Sequence, residues 1–235
     1  MSARRAVLLV GSARPTGTST SEALGRSFLR RLESAGVESQ VFFASHCRHD
    51  DRLRELTDAV ASAEFFVLAT PMYVDSLPYL VIRALEAIAA ARTRPGALPP
   101  SPTRFLAIVN CGFPEAAQTR TALDICRIFA AQARLEPGGA LGLGGGETLG
   151  GQAPERLGWL TRHLRRALDL AAEALLAGRP VPEKAVELMA RPLFPTLGYV
   201  LVAERRWRKQ ARRWGVESQL GARPYEPPQE HRPTA

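Results

Sequence analysis

The chain has 235 residues, of which 46% are hydrophobic, enough for one domain with a full core and a shorter extension. The formal charge is +8; residues 181–235 hold 10 basic and 6 acidic side chains, against 21 and 17 in residues 1–180, so basicity is concentrated toward the C-terminus. The three cysteines form no CxxC pair and no disulfide framework, give no grounds for a structural zinc or an iron–sulfur cluster, and predict a cytoplasmic protein. No segment approaches the roughly 20 apolar residues of a membrane span.

Five apolar runs are each followed by a stretch with helical spacing, a pattern that predicts a parallel sheet covered by helices. The predicted strands are 6–10, 37–44, 64–70, 104–110 and, in a glycine-rich stretch, 140–143. The predicted helices are 19–35, 53–61, one that starts near 77, 118–134 and 155–177. Because parallel strands are joined by right-handed crossovers, these units predict a doubly wound five-stranded α/β domain over residues 1–180, with helices on both faces.

Residues 181–235 are predicted to form a basic C-terminal extension, a helix over 191–214 followed by a proline-rich tail. The arginines of this helix lie mostly away from one side, and several apolar residues lie near that side: Leu197, Val200, Trp207, Ala211 and Trp214. This pattern is typical of a basic amphipathic helix. We expect it to pack on its own domain or on a second subunit, with an anionic membrane surface as the alternative. Nucleic-acid binding is not expected, because no recognised module accompanies the basic stripe.

Ligands of open α/β sheets bind at the carboxyl ends of the strands. Three loops emerge there: 11–18, 71–76 and 111–117. The first lies in the stretch "VGSARPTGTSTSEAL", where glycines, hydroxyls and an arginine surround a helix start and predict a phosphate site: Ser12, Arg14, Gly17, Thr18, Ser19 and Thr20. The same residues also predict a helix cap, with Ser19 at the N-cap and Glu22 three residues later. We expect both roles.

Two familiar phosphate motifs are absent, since the loop has neither the G-K-[ST] ending of a triphosphate loop nor the G-x-G-x-x-G of a dinucleotide fold. A site made of hydroxyls and amides without a lysine suits a terminal monophosphate. The stretch "SHCRH" at 45–49 is interpreted as a polar loop, and Cys111 as a packing residue. We therefore expect neither a metal site nor a catalytic side chain.

The loop "VGSARPTGTSTSEAL" resembles the phosphate loop of the flavodoxin-like NADPH-dependent FMN reductases and quinone reductases. The segment "ATPMYVDSLP" is similar to the family's P-x-Y segment, which lies along the flavin ring, and this implies roles for Pro71, Met72, Tyr73 and Val74. The segment "NCGFPE" sits where the family closes over the other side of the ring, which implies roles for Asn110, Cys111, Gly112 and Phe113. The resemblance covers roughly residues 5–178.

This resemblance implies an enzyme that binds FMN, takes electrons from NADPH or NADH, and passes them to a quinone, a flavin or a similar small acceptor. It also implies a homodimer or tetramer. Two alternatives remain open: an electron carrier of the flavodoxin type, and a flavodoxin-like interaction protein that has lost its cofactor. The basic charge argues against the carrier, since flavodoxins as a family are acidic.

Overall fold

A computed structural model describes residues 4–94, 102–223 and 225 of the chain. Within these residues, one parallel sheet has the strand order β2-β1-β3-β4-β5. Its strands are β1 (Arg5–Val10), β2 (Glu38–Phe43), β3 (Phe65–Pro71), β4 (Arg104–Asn110) and β5 (Glu136–Leu143). The predicted doubly wound, flavodoxin-like fold is confirmed, and β4 has the predicted bounds.

The helices are α1 (Thr20–Glu33), α2 (Asp50–Ala61), α3 (Tyr79–Thr93), α4 (Arg120–Gln132), α5 (Arg162–Leu176), α6 (Glu183–Ala190) and α7 (Thr196–Arg213). The core has two layers. Side chains of α1, α5 and α6 pack on one face of the sheet, and those of α2, α3 and α4 pack on the other. The central strand β3 is buried on both faces, as its uniformly apolar sequence predicts.

The expected single helix over 155–177 is wrong in its first part. Residues Pro154–Thr161 form a separate 3-10 segment that is interrupted at Gly158, whose φ of 57° is not helical, and α5 begins only at Arg162. Side chains of α1 hold this segment, because Glu155 accepts hydrogen bonds from Ser27 and from Arg30. Burial tends to raise the pKa of Glu155, but these bonds and the neighbouring arginines outweigh burial and lower the pKa to about 2.

The C-terminal part divides later than the sequence predicts. The chain forms two compact units, Met1–Leu193 and Phe194–Ala235, whereas the extension was expected from residue 181. The first unit continues to Leu193 because α6, which the sequence analysis did not predict, packs against α5 and β5. In the second unit, α7 covers most of the predicted 191–214 helix. The proline-rich tail lies almost entirely outside the described residues, as does most of the connector before β4.

None of the described helices combines the length and the apolar character that crossing a membrane requires.

Helix α1 approaches the sheet closely at Gly25. A Cβ atom at this position would lie 2.8 Å from Leu8 Cδ1 and 2.9 Å from the Cβ of Ala69, so the backbone of α1 rests directly on β1 and β3. Because α1 follows β1 directly in the chain, its N-terminus lies at the carboxyl edge of the sheet.

We predict that Gly25→Ala lowers the free energy of unfolding by about 1–3 kcal/mol, because overpacking outweighs the better helix propensity of alanine. The matched control is Gly198→Ala in α7, where a Cβ would meet nothing within 4 Å. The control should leave stability unchanged or raise it. Denaturant unfolding measures both, and a Gly25→Ala variant as stable as the parent would refute close packing at this helix.

Candidate functional site

A polar cleft of about 110 Å³ opens at the carboxyl edge of the sheet. It is lined by residues from the loops after β1, β3, β4 and β5: Ser12, Arg14, Ser19, Thr20, Ser21, Pro71, Met72, Tyr73, Asn110, Cys111, Gly112 and Glu147. Three of these loops are the ones expected from the sequence. The fourth, after β5, was missed because its glycine-rich sequence gave a weak strand signal.

The start of α1 is capped as predicted. Ser19 has extended backbone angles, and its Oγ accepts the backbone N–H of Glu22 at 3.1 Å. The carboxylate of Glu22 does not accept the backbone N–H of Ser19, as it would in a complete capping box. It accepts the N–H of Gly17 at 2.6 Å and Nε of Arg26 at 2.8 Å, and it is buried. The amide of Gly17 is therefore already used within the protein.

The hydroxyls of the first loop and of the start of α1 differ in where their single donor hydrogen is directed. Thr18 donates to the carbonyl of Pro15 at 2.6 Å, Thr20 donates to the carbonyl of Gly146 at 2.7 Å, and Ser21 donates to Oδ1 of Asn110 at 2.7 Å. These three hydrogens are committed to the fold.

Ser12 and Ser19 are arranged differently, because each accepts a backbone N–H through its Oγ: Ser12 from Arg14 at 3.3 Å, and Ser19 from Glu22. Neither hydroxyl donates to any described residue, so both O–H groups remain available. Both side chains are buried at the cleft, and the Arg14 guanidinium forms no hydrogen bond or ion pair within the described part of the chain.

The second loop is a tight turn. Tyr73 and Ser76 exchange backbone hydrogen bonds of 2.9 and 3.1 Å, and the two residues between them, Val74 and Asp75, have φ angles of 49° and 58°. Two successive positive φ values define a turn that favours glycine and asparagine, and a β-branched valine adopts one only at a cost in strain. The amide of Ser76 is consumed, whereas those of Val74 and Asp75 have no partner among the described residues.

The third and fourth loops hold each other. Gly145 donates to the carbonyl of Phe113 at 2.6 Å and Gly146 to that of Cys111 at 2.9 Å, so the loop after β5 supports the loop after β4. Glu147 thereby comes to the cleft wall next to Gly112. Sequence reasoning missed Ser21 and Glu147; the position of Glu147 after a fifth parallel strand was the signal that could have found it.

The structure brings ten of the fourteen predicted residues into the cleft: Ser12, Arg14, Ser19, Thr20, Pro71, Met72, Tyr73, Asn110, Cys111 and Gly112. The other four do not line it. Gly17 is held by Glu22, and Thr18 faces Pro15. Val74 and Phe113 are 97% and 56% exposed, respectively.

Other candidate side chains form no second site. Among the described residues, which include the "SHCRH" loop, no cluster of histidine, cysteine, aspartate and glutamate could hold a metal ion. Burial raises the pKa of Cys47 to about 11 and also raises the pKa of Cys111, so both thiols remain protonated. His163, expected on a solvated helix face, is instead half-buried, and the loss of solvation lowers its pKa.

The cleft fits a flavin mononucleotide by the chemistry of its donors. Two hydroxyls with uncommitted hydrogens, an arginine and the amino end of α1 meet at one end, a combination that suits a phosphate dianion. The half-exposed ring of Tyr73 lines the same cleft and offers a flat apolar surface.

The family model described as NADPH-dependent FMN reductase matches residues 4–132, more than half of the chain. The chain belongs to this family. The membership confirms that the chain is an enzyme, an FMN-dependent oxidoreductase with NAD(P)H as electron donor, and it does not favour the carrier or the cofactor-free alternative.

Solved structures show the same fold at low identity. An NADH:FMN oxidoreductase in its apo form covers 82% of this chain and 96% of its own, with a TM-score of 0.55 and 16% identity. An NAD(P)H:quinone oxidoreductase from Methanothermobacter marburgensis covers 72% and 96%, with a TM-score of 0.51 and 11% identity. An FMN-dependent NADH-azoreductase from Bacillus anthracis in complex with FMN covers 74% and 98%, with a TM-score of 0.51 and 12% identity. No curated protein matches the chain.

Proposed function

We propose that this chain binds FMN in the polar cleft, with the phosphate at the start of α1, and uses it to reduce a quinone, a flavin or a similar small acceptor. The observation that carries the proposal is the pair of hydroxyls at Ser12 and Ser19. Both accept a backbone N–H, and both keep a donor hydrogen for a ligand.

At the phosphate end, the hydroxyls of Ser12 and Ser19 donate to phosphate oxygens and Arg14 supplies the opposing charge. The first-turn amides of α1 add the positive end of the helix dipole. The carboxylate of Glu22 faces Gly17 and Arg26, and the salt bridge with Arg26 offsets its negative charge. The three donor groups thus meet the phosphate without competition from this carboxylate.

At the ring end, Tyr73 supplies a flat surface, and the amides of Val74 and Asp75 are available to donate to the pyrimidine edge of the flavin. The strained turn supports this assignment, because strained backbone persists where the surrounding structure imposes it and is concentrated at binding sites. FMN supplies the redox chemistry when it is bound, accepting a hydride from the nicotinamide and releasing electrons to the acceptor. The residues of the cleft would hold and orient the ring.

We also infer a homo-oligomer and a cytoplasmic location. Large apolar side chains in and next to the loops of the cleft support the first inference: Tyr73 at 50%, Val74 at 97%, Phe113 at 56% and Tyr79 at 76% exposure would gain from cover by a second subunit. All three cysteines are described, and each is free, which supports the second inference.

Replacing Ser12 by alanine should weaken FMN binding by about tenfold to a hundredfold, since a hydrogen bond to a charged group contributes roughly 1.5–3 kcal/mol. The matched control is Thr18→Ala. It removes a hydroxyl from the same loop, but that hydroxyl donates to Pro15 and does not line the cleft. Fluorescence titration of FMN measures both affinities, and thermal unfolding checks that both variants fold. Equal losses in the two variants, or no loss in Ser12→Ala, would place the phosphate elsewhere.

Anaerobic addition of NADPH or NADH to the FMN-loaded protein should bleach the flavin absorption, and a soluble benzoquinone should restore it, because the open cleft admits donor and acceptor in turn. A carrier of the flavodoxin type would be reduced by dithionite but not by the nicotinamides. That result would contradict the proposed reductase activity while leaving FMN binding intact.

A further inference from the structure

Helix α7 and its C-cap residue Trp214 carry three large apolar side chains at intervals of seven residues. Val200, Trp207 and Trp214 are 51%, 69% and 73% exposed, respectively. Seven residues are nearly two turns of an α-helix, so these side chains lie along one stripe of its surface. An exposed apolar stripe with two tryptophans is expensive to leave in water, which indicates an interaction surface.

Positive charge surrounds this stripe. Residues 196–217 contain six basic and two acidic side chains, a net charge of +4. The two acidic residues are already paired: Glu204 with Arg208 at 3.1 Å, and Glu217 with Arg212 at 2.7 Å. The other four basic residues form no ion pair within the described part of the chain: Arg205, Arg206, Lys209 and Arg213.

The arrangement of the charges identifies the kind of partner. Arg206 and Arg208 stand immediately before and after Trp207, so they lie about 100° to either side of it around the helix. If two copies of α7 packed along the stripe, the arginines of one copy would lie beside those of the other, and like charges across such an interface oppose association. An anionic surface meets both features, since it accepts the apolar stripe and neutralises the flanking arginines.

We propose that α7 binds the surface of membranes that contain anionic phospholipids, lying parallel to the bilayer. Val200, Trp207 and Trp214 enter the region between headgroups and acyl chains, where tryptophan is favoured because its ring is apolar and its N–H is polar. The arginines that flank the stripe, Arg206, Arg208 and Arg213, extend to the phosphates, and their aliphatic stems lie along the apolar layer. The two parts act together, so neither charge nor apolar contact alone accounts for the binding.

The test is co-sedimentation of the full chain with vesicles of phosphatidylcholine alone and of phosphatidylcholine mixed with phosphatidylserine. We expect binding only to the phosphatidylserine vesicles, decreasing as salt is raised because salt screens the charges. A blue shift of tryptophan fluorescence should accompany binding. It is measured in a Trp159→Phe background so that only the two α7 tryptophans report. Equal binding to both vesicle types, or none to either at low salt, would overturn the proposal.

Two double variants distinguish binding by the basic residues of α7 from binding by the net charge of the whole protein. Arg206→Gln with Arg213→Gln should weaken binding to the phosphatidylserine vesicles by roughly tenfold or more, since both residues flank the stripe and each basic residue near an anionic surface strengthens binding by about fivefold. The matched control, Arg54→Gln with Arg120→Gln, removes the same charge from exposed positions on α2 and α4 and should have little effect.

Trp207→Gln with Trp214→Gln should also abolish stable vesicle binding and leave the oligomeric state unchanged in light scattering. If these substitutions instead alter the oligomer while vesicle binding persists, the stripe is a contact between subunits, and the membrane proposal is wrong. Circular dichroism confirms that the variants retain their helical content.

Discussion

The first turn of α1 is the constraint on which the rest of the site depends. Within four residues, Ser19 caps the helix, Thr20 is bonded to the loop after β5, Ser21 is bonded to Asn110 at the end of β4, and Glu22 holds Gly17. One helical turn thus joins the loops that follow three strands. Because Thr20 and Ser21 use their hydrogens in these bonds, Ser12 and Ser19 are the serines of the cleft lining whose hydroxyl hydrogens remain for a ligand.

This arrangement requires α1 to lie very close to the sheet. Gly25 permits the helix to rest on Leu8 and Ala69, and Gly11 permits the chain to leave β1 against Thr70, whose Oγ1 would clash with an added Cβ. Larger residues at either position would move the helix start away from the strand ends. The hydrogen bonds of the cleft therefore depend on the packing at these two glycines, because that packing sets the distance between the start of α1 and the strand ends.

Much of the fold follows from local sequence patterns. The apolar runs predict the strands, and the capping box predicts the start of α1, because both signals arise from residues close together in the chain. The 3-10 segment before α5 could not be predicted from local sequence, because the helical spacing of apolar residues continues through Gly158. The segment is held by a contact distant in the chain, the hydrogen bond from Ser27 of α1 to Glu155. Helix α6 was missed for a similar reason, because its eight residues are stabilised by packing on α5 and β5.

The candidate site was predictable in its location and less so in its details. The rule that ligands bind at strand ends identifies the loops, yet the direction in which each hydroxyl donates depends on distant partners such as Gly146 and Asn110. Thr18 and Ser12 look alike in the sequence, and only the fold shows that one hydrogen is committed and the other is not. Glu147 lies in the loop after β5, and the glycines in and after β5 weaken the sequence signal of that strand.

The most direct test of a phosphate site at the start of α1 is a comparison of FMN with riboflavin, which has the same ring and lacks the phosphate. If Ser12, Ser19 and Arg14 hold the phosphate, calorimetric titration of the cofactor-free protein should show riboflavin binding at least about a hundredfold more weakly than FMN, the value expected for two charge-assisted hydrogen bonds. Equal affinities for the two flavins would show that the phosphate contributes nothing, and would contradict the assignment of this helix start as the cofactor anchor.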